Sequence, residues 1–428
     1  ASFYNGASDY NETLISSQLD LHQIEIDMIN ARFKLADDFP DNPAILASTG
    51  GNATRNRIFK VVVEGNKSNQ TVHADLIAVR LEGCNNQQSE IHIGAVNCIH
   101  GLQVYGNTEN QIIRVSGFGT DLLCSEKQES TDTPDENIYW INANTCGQWF
   151  VQEDALIGSS CQLFLACENS PGSTGYPIEI TTQKMCHIRG EIRADDDGAV
   201  HINAGPSSNI HLDLTLYGIQ GDKLPLYVEQ AGTLMGNVTI NHASSGSPDG
   251  CAYLQRVENG GALNLFCNSV DNGYGLKLGD SASSSDTVRS MDIYFACTGS
   301  ATATNSLVVD RVNNSRVRVG EDGNLPYDID SSNTGQSLQF SLELPSTVIE
   351  NNVAINIGSN AEQEMSDCVV LGSVTAAEIN SYSTPFNGLR VSKCRNAGSD
   401  PGFRTVIYTA ADDGGTGQAW RTPSLVAM

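Results

Sequence analysis

Basic residues are scarce in this chain. Lysine and arginine together number 24 against 50 aspartates and glutamates, a formal net charge of -26 over 428 residues. So acidic a surface repels nucleic-acid phosphates and anionic bilayers, and neither is expected as a partner. Aromatic residues make up only 7%, which suits a narrow interior better than a broad globular core. No run of about 18 apolar residues occurs, so no membrane span is expected. No Cys-x-x-Cys pair exists, and no Cys/His cluster has zinc-ligand spacing. A P-loop, a dinucleotide fingerprint and a nucleophilic triad are all missing. On these grounds the chain is expected to need no cofactor, and no metal site is assigned. His187, His201 and His211, with the oxygen donors of Asp195–Asp197, are the only groupings that suggest one.

What the chain has in quantity is turn residues and short alternating strands. Glycine alone numbers 40. Segments such as Ile210–Leu214, Val238–Asn241, Leu263–Phe266, Ile293–Ala296 and Val317–Val319 alternate apolar and polar positions. A second set interleaves with them: Leu226–Val228, Ala252–Leu254, Leu276–Leu278, Leu307–Val309 and Ala354–Ile357. The pair recurs about every 22 to 29 residues, the signature of a coil that buries its apolar face only by stacking. Rungs are expected to begin near residues 72, 90, 111, 137, 161, 186, 210, 234, 262, 291, 316, 338 and 367. The fold class that follows is all-β, a stacked β-solenoid of about twelve to thirteen rungs with capped ends. Residues 1–19 read as an N-terminal arm and 20–71 as a cap with first strands at Leu19–Ile26 and Ile58–Val63. Residues 72–394 read as the helix, and 395–428 as a C-terminal cap containing a strand at Phe403–Tyr408. Long inserts at Ser125–Glu136, Glu168–Tyr176, Ala243–Gly250 and Asp280–Thr287 are the expected places for binding loops.

Twelve cysteines occur. Several, including Cys167, Cys267 and Cys297, fall at apolar strand positions, where they are expected as free thiols packed like small hydrophobes. Free thiols point to assembly in a reducing cytosol.

The pattern of residues 20–395 resembles right-handed parallel β-helix proteins, namely the pectate-lyase-like superfamily and the tailspikes of tailed bacteriophages. Asp195-Asp196-Asp197-Gly198 is a faint echo of the Asp-Asp motif of polygalacturonase-like enzymes. The acidic chain, the reduced cysteines, the Asn/Ser-rich arm and the lack of a recognisable leader tilt the resemblance towards tailspikes. It implies a homotrimeric virion tail protein, assembled in the host cytoplasm and attached to tail or baseplate proteins. Such a protein recognises host surface polysaccharide and in some cases cleaves it as a depolymerase. The alternatives are a secreted polysaccharide lyase or hydrolase, and a non-enzymatic decoration solenoid of a virion.

Glycoside hydrolysis needs two carboxylates flanking the scissile oxygen. Aligning Ile188–Ile192 with Ile210–Leu214 sets Glu191 beside Asp213, and these two are the candidate acid and base or nucleophile. Arg189 and His211 would flank them. Sugar rings stack on aromatic faces, and Tyr139, Phe164 and Trp149 are the candidate platforms, with Tyr217, Tyr227 and Tyr294 as further outward rings. An acidic glycan would need a basic patch, for which Arg311, Arg316 and Arg318 are the nearest group in sequence.

Overall fold

A computed structural model of the chain describes residues 28–35, 42–48, 58–68, 75–84, 90–153, 159–168, 175–182, 184–194, 198–219, 223–243, 250–270, 273–280, 282–283, 285–299 and 305–322. Beyond these it describes only isolated strands. The fold is all-β, a parallel β-solenoid of about 8 turns, and no helix occurs among the described residues. The chain divides into two compact units, residues 1–221 and 222–428.

In the first unit, strands alternate between two sheets. One contains β2 (Met28–Lys34), β4 (Ile58–Glu64), β6 (Glu90–Val96), β8 (Ile112–Phe118), β10 (Asn137–Asn144), β12 (Cys161–Glu168), β14 (Met185–Arg193) and β16 (Asn209–Ile219). The other contains β1 (Ile15–Ser17), β3 (Ile45–Ser48), β5 (Ile77–Glu82), β7 (His100–Tyr105), β9 (Leu122–Lys127), β11 (Phe150–Glu153), β13 (Ile178–Ile180) and β15 (Val200–Asn203). Every strand pairs in parallel with the next strand of its own sheet, as β10 does with β8 and β12. The expected rung starts at 90, 111, 137, 161, 186 and 210 fall within one residue of these strands. The expected first strand at Leu19–Ile26 and the rung near 72 lie outside the described residues.

Strict alternation builds the core. Along β10, Asn137, Tyr139, Ile141 and Ala143 are buried, while Trp140 and Asn142 are exposed. Inward residues of successive turns stack, for example Leu163, Ile188 and Leu212. The ten described cysteines are free thiols and all buried. Cys161 and Cys186, register partners, bring their Sγ atoms to 3.3 Å. One insert is misplaced by the sequence: Ser125–Glu136 begins inside β9, where Ser125 and Glu126 are fully buried.

In the second unit the long strand Leu226–Ala243 serves both sheets. Its start pairs with Gly250–Leu254 and its remainder with Val257–Val270. Met291–Gly299, Ser315–Asp322 and Leu338–Leu342 continue one ladder in parallel. Arg390–Arg395, Phe403–Thr409 and Ala419–Arg421 then pair antiparallel.

Candidate functional site

The outward face of the sheet containing β4 to β14 carries the site. In-register parallel strands place equivalent residues above one another at about 4.8 Å spacing, so each outward position becomes a column. One column reads Lys60, His92, Arg114, Trp140, Phe164, Arg189 and Asp213, each the direct partner of the next. The adjacent column reads Val62, Gly94, Ser116, Asn142, Ala166 and Glu191. Long side chains thus stand beside short ones on the first five of these six strands. The step between the columns is a groove of about 590 Å³. Trp140 and Phe164 stack inside it, with ring centroids 4.2 Å apart and planes 9° from parallel. The Arg114 guanidinium lies 5.4 Å from the Trp140 ring centroid, within cation–π range. Among the described residues lining the groove, none is a carboxylate. A local basic, aromatic surface therefore sits on a chain that is acidic overall.

Of the residues expected to bind sugar, Phe164 and Arg189 line this groove, and His211 lies just beyond Arg189. Tyr139 and Trp149 do not face outward; both are fully buried. The segment Ile138-Tyr139-Trp140-Ile141 is apolar at both parities, so alternation alone does not say which ring points in. Tyr139 turns inward because its hydroxyl finds an interior acceptor, Glu126 Oε1, at 2.7 Å. Trp149 donates its indole N–H to the Cys146 carbonyl at 3.2 Å. Trp140, on the same strand as Tyr139, is the ring that faces outward; it is 43% exposed.

The proposed pairing of Glu191 with Asp213 is also corrected. Ile188 partners Leu212, Arg189 partners Asp213 and Glu191 partners Thr215. The strands are offset by two residues from the expected alignment, and that shift keeps every side chain on the same face. Glu191 and Asp213 still point outward, but as diagonal neighbours, about 8 Å apart at the backbone by strand geometry. The two carboxylates therefore do not stack.

Asp213 has other company. Arg189 Nε lies 3.3 Å from Asp213 Oδ2 and donates a 2.8 Å hydrogen bond to His187 Nε2. His187 Nε2 and His211 Nε2 lie 3.4 and 3.6 Å from the same Asp213 oxygen. The two imidazoles, register partners, stack at 4.3 Å and 14°. Burial pushes His187 below the ordinary imidazole range, although Asp213 pulls the other way. A neutral His187 is the form that accepts the Arg189 hydrogen bond. His201 lies on β15 in the other sheet, with its ring 5.1 Å from that of Tyr176. Asp195–Asp197 lie outside the described residues.

Two further clusters are interior. Glu126 is fully buried and receives hydrogen bonds from Tyr139, Gln152 and Ser159 at 2.7, 2.8 and 3.0 Å. Burial pushes its carboxyl up to about 7 despite these donors. Ser125 Oγ meets His100 Nε2 at 3.0 Å and Glu153 Oε1 at 2.6 Å. This is not a nucleophilic arrangement, because the acid holds the serine directly and Ser125 is wholly buried. Burial raises Glu153, but donors at Ser125, Lys127 and Gln103 outweigh it and hold the carboxyl below its ordinary range.

In the second unit, Tyr227 and Tyr253 stack at 5.5 Å, with the Lys277 ammonium 4.9 Å from the Tyr253 ring. Tyr253 donates to Asp280 at 3.2 Å. Tyr294 is half-buried beside Phe266. The basic patch expected at Arg311, Arg316 and Arg318 does not form a surface. Arg311 is buried and Arg318 is engaged by Asp292 at 3.3 Å.

Fold and site together define a parallel β-solenoid that carries a basic, aromatic groove on one sheet face. Neither a protein-family model, nor a curated protein, nor a solved structure matches the chain.

Proposed function

We propose that the chain recognises an acidic polysaccharide along the groove of the first unit. The observation that carries this is the single outward column Lys60–His92–Arg114–Trp140–Phe164–Arg189. Stacked aromatic rings offer a flat apolar surface to the faces of pyranose rings. Cationic groups on both sides of them suit carboxylate or sulfate substituents. A ladder at regular strand spacing suits a ligand that is itself a repeating polymer. The same reading takes the protein as the receptor-binding spike of a phage tail, a homotrimer on tail or baseplate proteins, with host surface polysaccharide as its ligand. The parallel β-solenoid is compatible with polysaccharide binding.

The test is calorimetric titration of the full chain with uronate-containing and with neutral polysaccharides. The acidic polymer is expected to bind more tightly. Trp140→Ala and Phe164→Ala are each expected to weaken it about tenfold, the loss of ~1.4 kcal/mol of stacking. Undiminished affinity in both variants would remove the groove from this reading. Cleavage is the second reading, favoured by Glu191 and Asp213 sharing the outward face at diagonal positions. A reducing-end assay on the wild type, Glu191→Gln and Asp213→Asn decides it. New reducing ends in the wild type but in neither variant support cleavage through this pair, and none in any of the three restrict the protein to binding.

A further inference from the structure

We infer that His187, His211 and Asp213 form a binding site for a divalent transition-metal ion, in competition with Arg189. The inference does not need the glycan reading, although Arg189 and Asp213 figure in both. Its three donor atoms, His187 Nε2, His211 Nε2 and Asp213 Oδ2, lie within 4.8 Å of one another. A tetrahedral zinc ion with bonds of about 2.0–2.1 Å spaces its ligand atoms by about 3.3–3.4 Å. The two imidazole nitrogens here stand 3.4 and 3.6 Å from the carboxylate oxygen. The approach asked on those two edges is a few tenths of an ångström, and the imidazoles, now 14° from parallel, must tilt so that both in-plane Nε2 lone pairs point at one ion. Two imidazoles and one carboxylate select a borderline ion such as Zn²⁺ over Ca²⁺ or Mg²⁺, which prefer all-oxygen shells. Three protein ligands leave a fourth position open to water or to a ligand oxygen.

The fold produces this set by repetition. His187-Ile188-Arg189 lies directly beneath His211-Leu212-Asp213 in register. The histidines share one column and stack, while Arg189 faces Asp213 in the next. Arg189 already places a cationic group against two of the three donor atoms, 2.8 Å from His187 Nε2 and 3.3 Å from Asp213 Oδ2. It marks the spot as one that attracts positive charge. It also competes, because a metal ion and the Arg189 Nε–H cannot both use the same lone pairs. Metal binding would release the guanidinium towards the groove, which Arg189 also lines beside its partner Phe164.

Titration of the full chain with ZnCl₂ by calorimetry, and with Co²⁺ followed by visible absorption, tests the site. One ion per chain is expected, with the intense visible bands of a four-coordinate cobalt centre. His187→Ala, His211→Ala and Asp213→Asn should each weaken binding by at least about tenfold, and Arg189→Ala should tighten it. The four side chains are outward, so the variants should unfold at the wild-type temperature, and Zn²⁺ should raise that temperature only where the triad is intact. Equal zinc affinity in the wild type and the three ligand variants would overturn the site. Weaker binding in Arg189→Ala would overturn the competition and make Arg189 a support of the cluster.

Discussion

Glu126 is a carboxyl held wholly out of water. A carboxyl raised to about 7 in the fold and near 4.5 in the unfolded chain holds more protons folded than unfolded between those values. Stability then falls as pH rises through that window, and the loss is complete above pH 7, on the order of 3 kcal/mol. Glu126→Gln keeps the shape without the charge. Denaturant unfolding at pH 4.5 and pH 8 should show the variant gaining on the wild type at the higher pH. An unchanged difference would show that the carboxylate is stabilised by more than its three donors. His100 works in the opposite sense. Burial lowers it to about 4 from 6.5, so its contribution is present above pH 6.5 and is lost as pH falls towards 4. His100→Asn should flatten the acid limb of the same stability profile. Neither group was legible in the sequence. Glu126 sits in a polar run that reads as a loop, and its burial depends on Tyr139, Gln152 and Ser159 arriving from three other segments.

At the scale of the strand, register is the decisive quantity. A two-residue slip between β14 and β16 leaves every apolar side chain inside, so the alternating pattern cannot distinguish the two alignments. Contacts specific to one alignment distinguish them, here Arg189 with Asp213 and the His187–His211 stack; on the other side of β14, the pairing with β12 depends on a glycine. Gly190 adopts φ +136°, and a Cβ there would stand 2.0 Å from the Leu165 carbonyl oxygen, its strand partner. Only glycine allows that approach. Gly190→Ala should therefore cost roughly 1–3 kcal/mol of unfolding free energy. It should also disturb Arg189 and Glu191 on either side, and so weaken groove binding. Gly83, at φ +62° with open space around it, provides the comparison. Gly83→Ala should cost only about 1 kcal/mol and leave the groove intact. Thermal unfolding and glycan titration of both variants check this, and equal losses would count against the close contact at Gly190.

For the whole molecule, charge sets the terms of recognition. A formal charge of -26 repels an anionic polymer at long range, while the Lys60–Arg189 column attracts it at short range. Salt screens both, with a Debye length near 10 Å at about 0.1 M. Affinity for an acidic polysaccharide should fall on raising NaCl from about 0.1 to 0.5 M if the local cations dominate. Binding of a neutral polymer should barely move. A rise in affinity with salt would show that the net charge governs. Arg114→Ala should reduce the salt dependence, since it removes one of the cations in the middle of the column.

The sequence by itself determined the architecture. Alternating apolar positions, abundant turn residues and a recurring strand pair admit few ways to bury the apolar face other than stacking in parallel coils. Rung starts read from that pattern fall within one residue of six strands in the first unit. It also placed Phe164, Arg189 and His211 on the outward face, because parity along a strand is local information. Only the tertiary structure decided which residues meet across strands, that Tyr139 and Trp149 point inward while Trp140 points out, and that Arg189 rather than Glu191 faces Asp213. Those outcomes depend on partners tens of residues away in sequence and one strand spacing away in space, and a period of two carries no record of them.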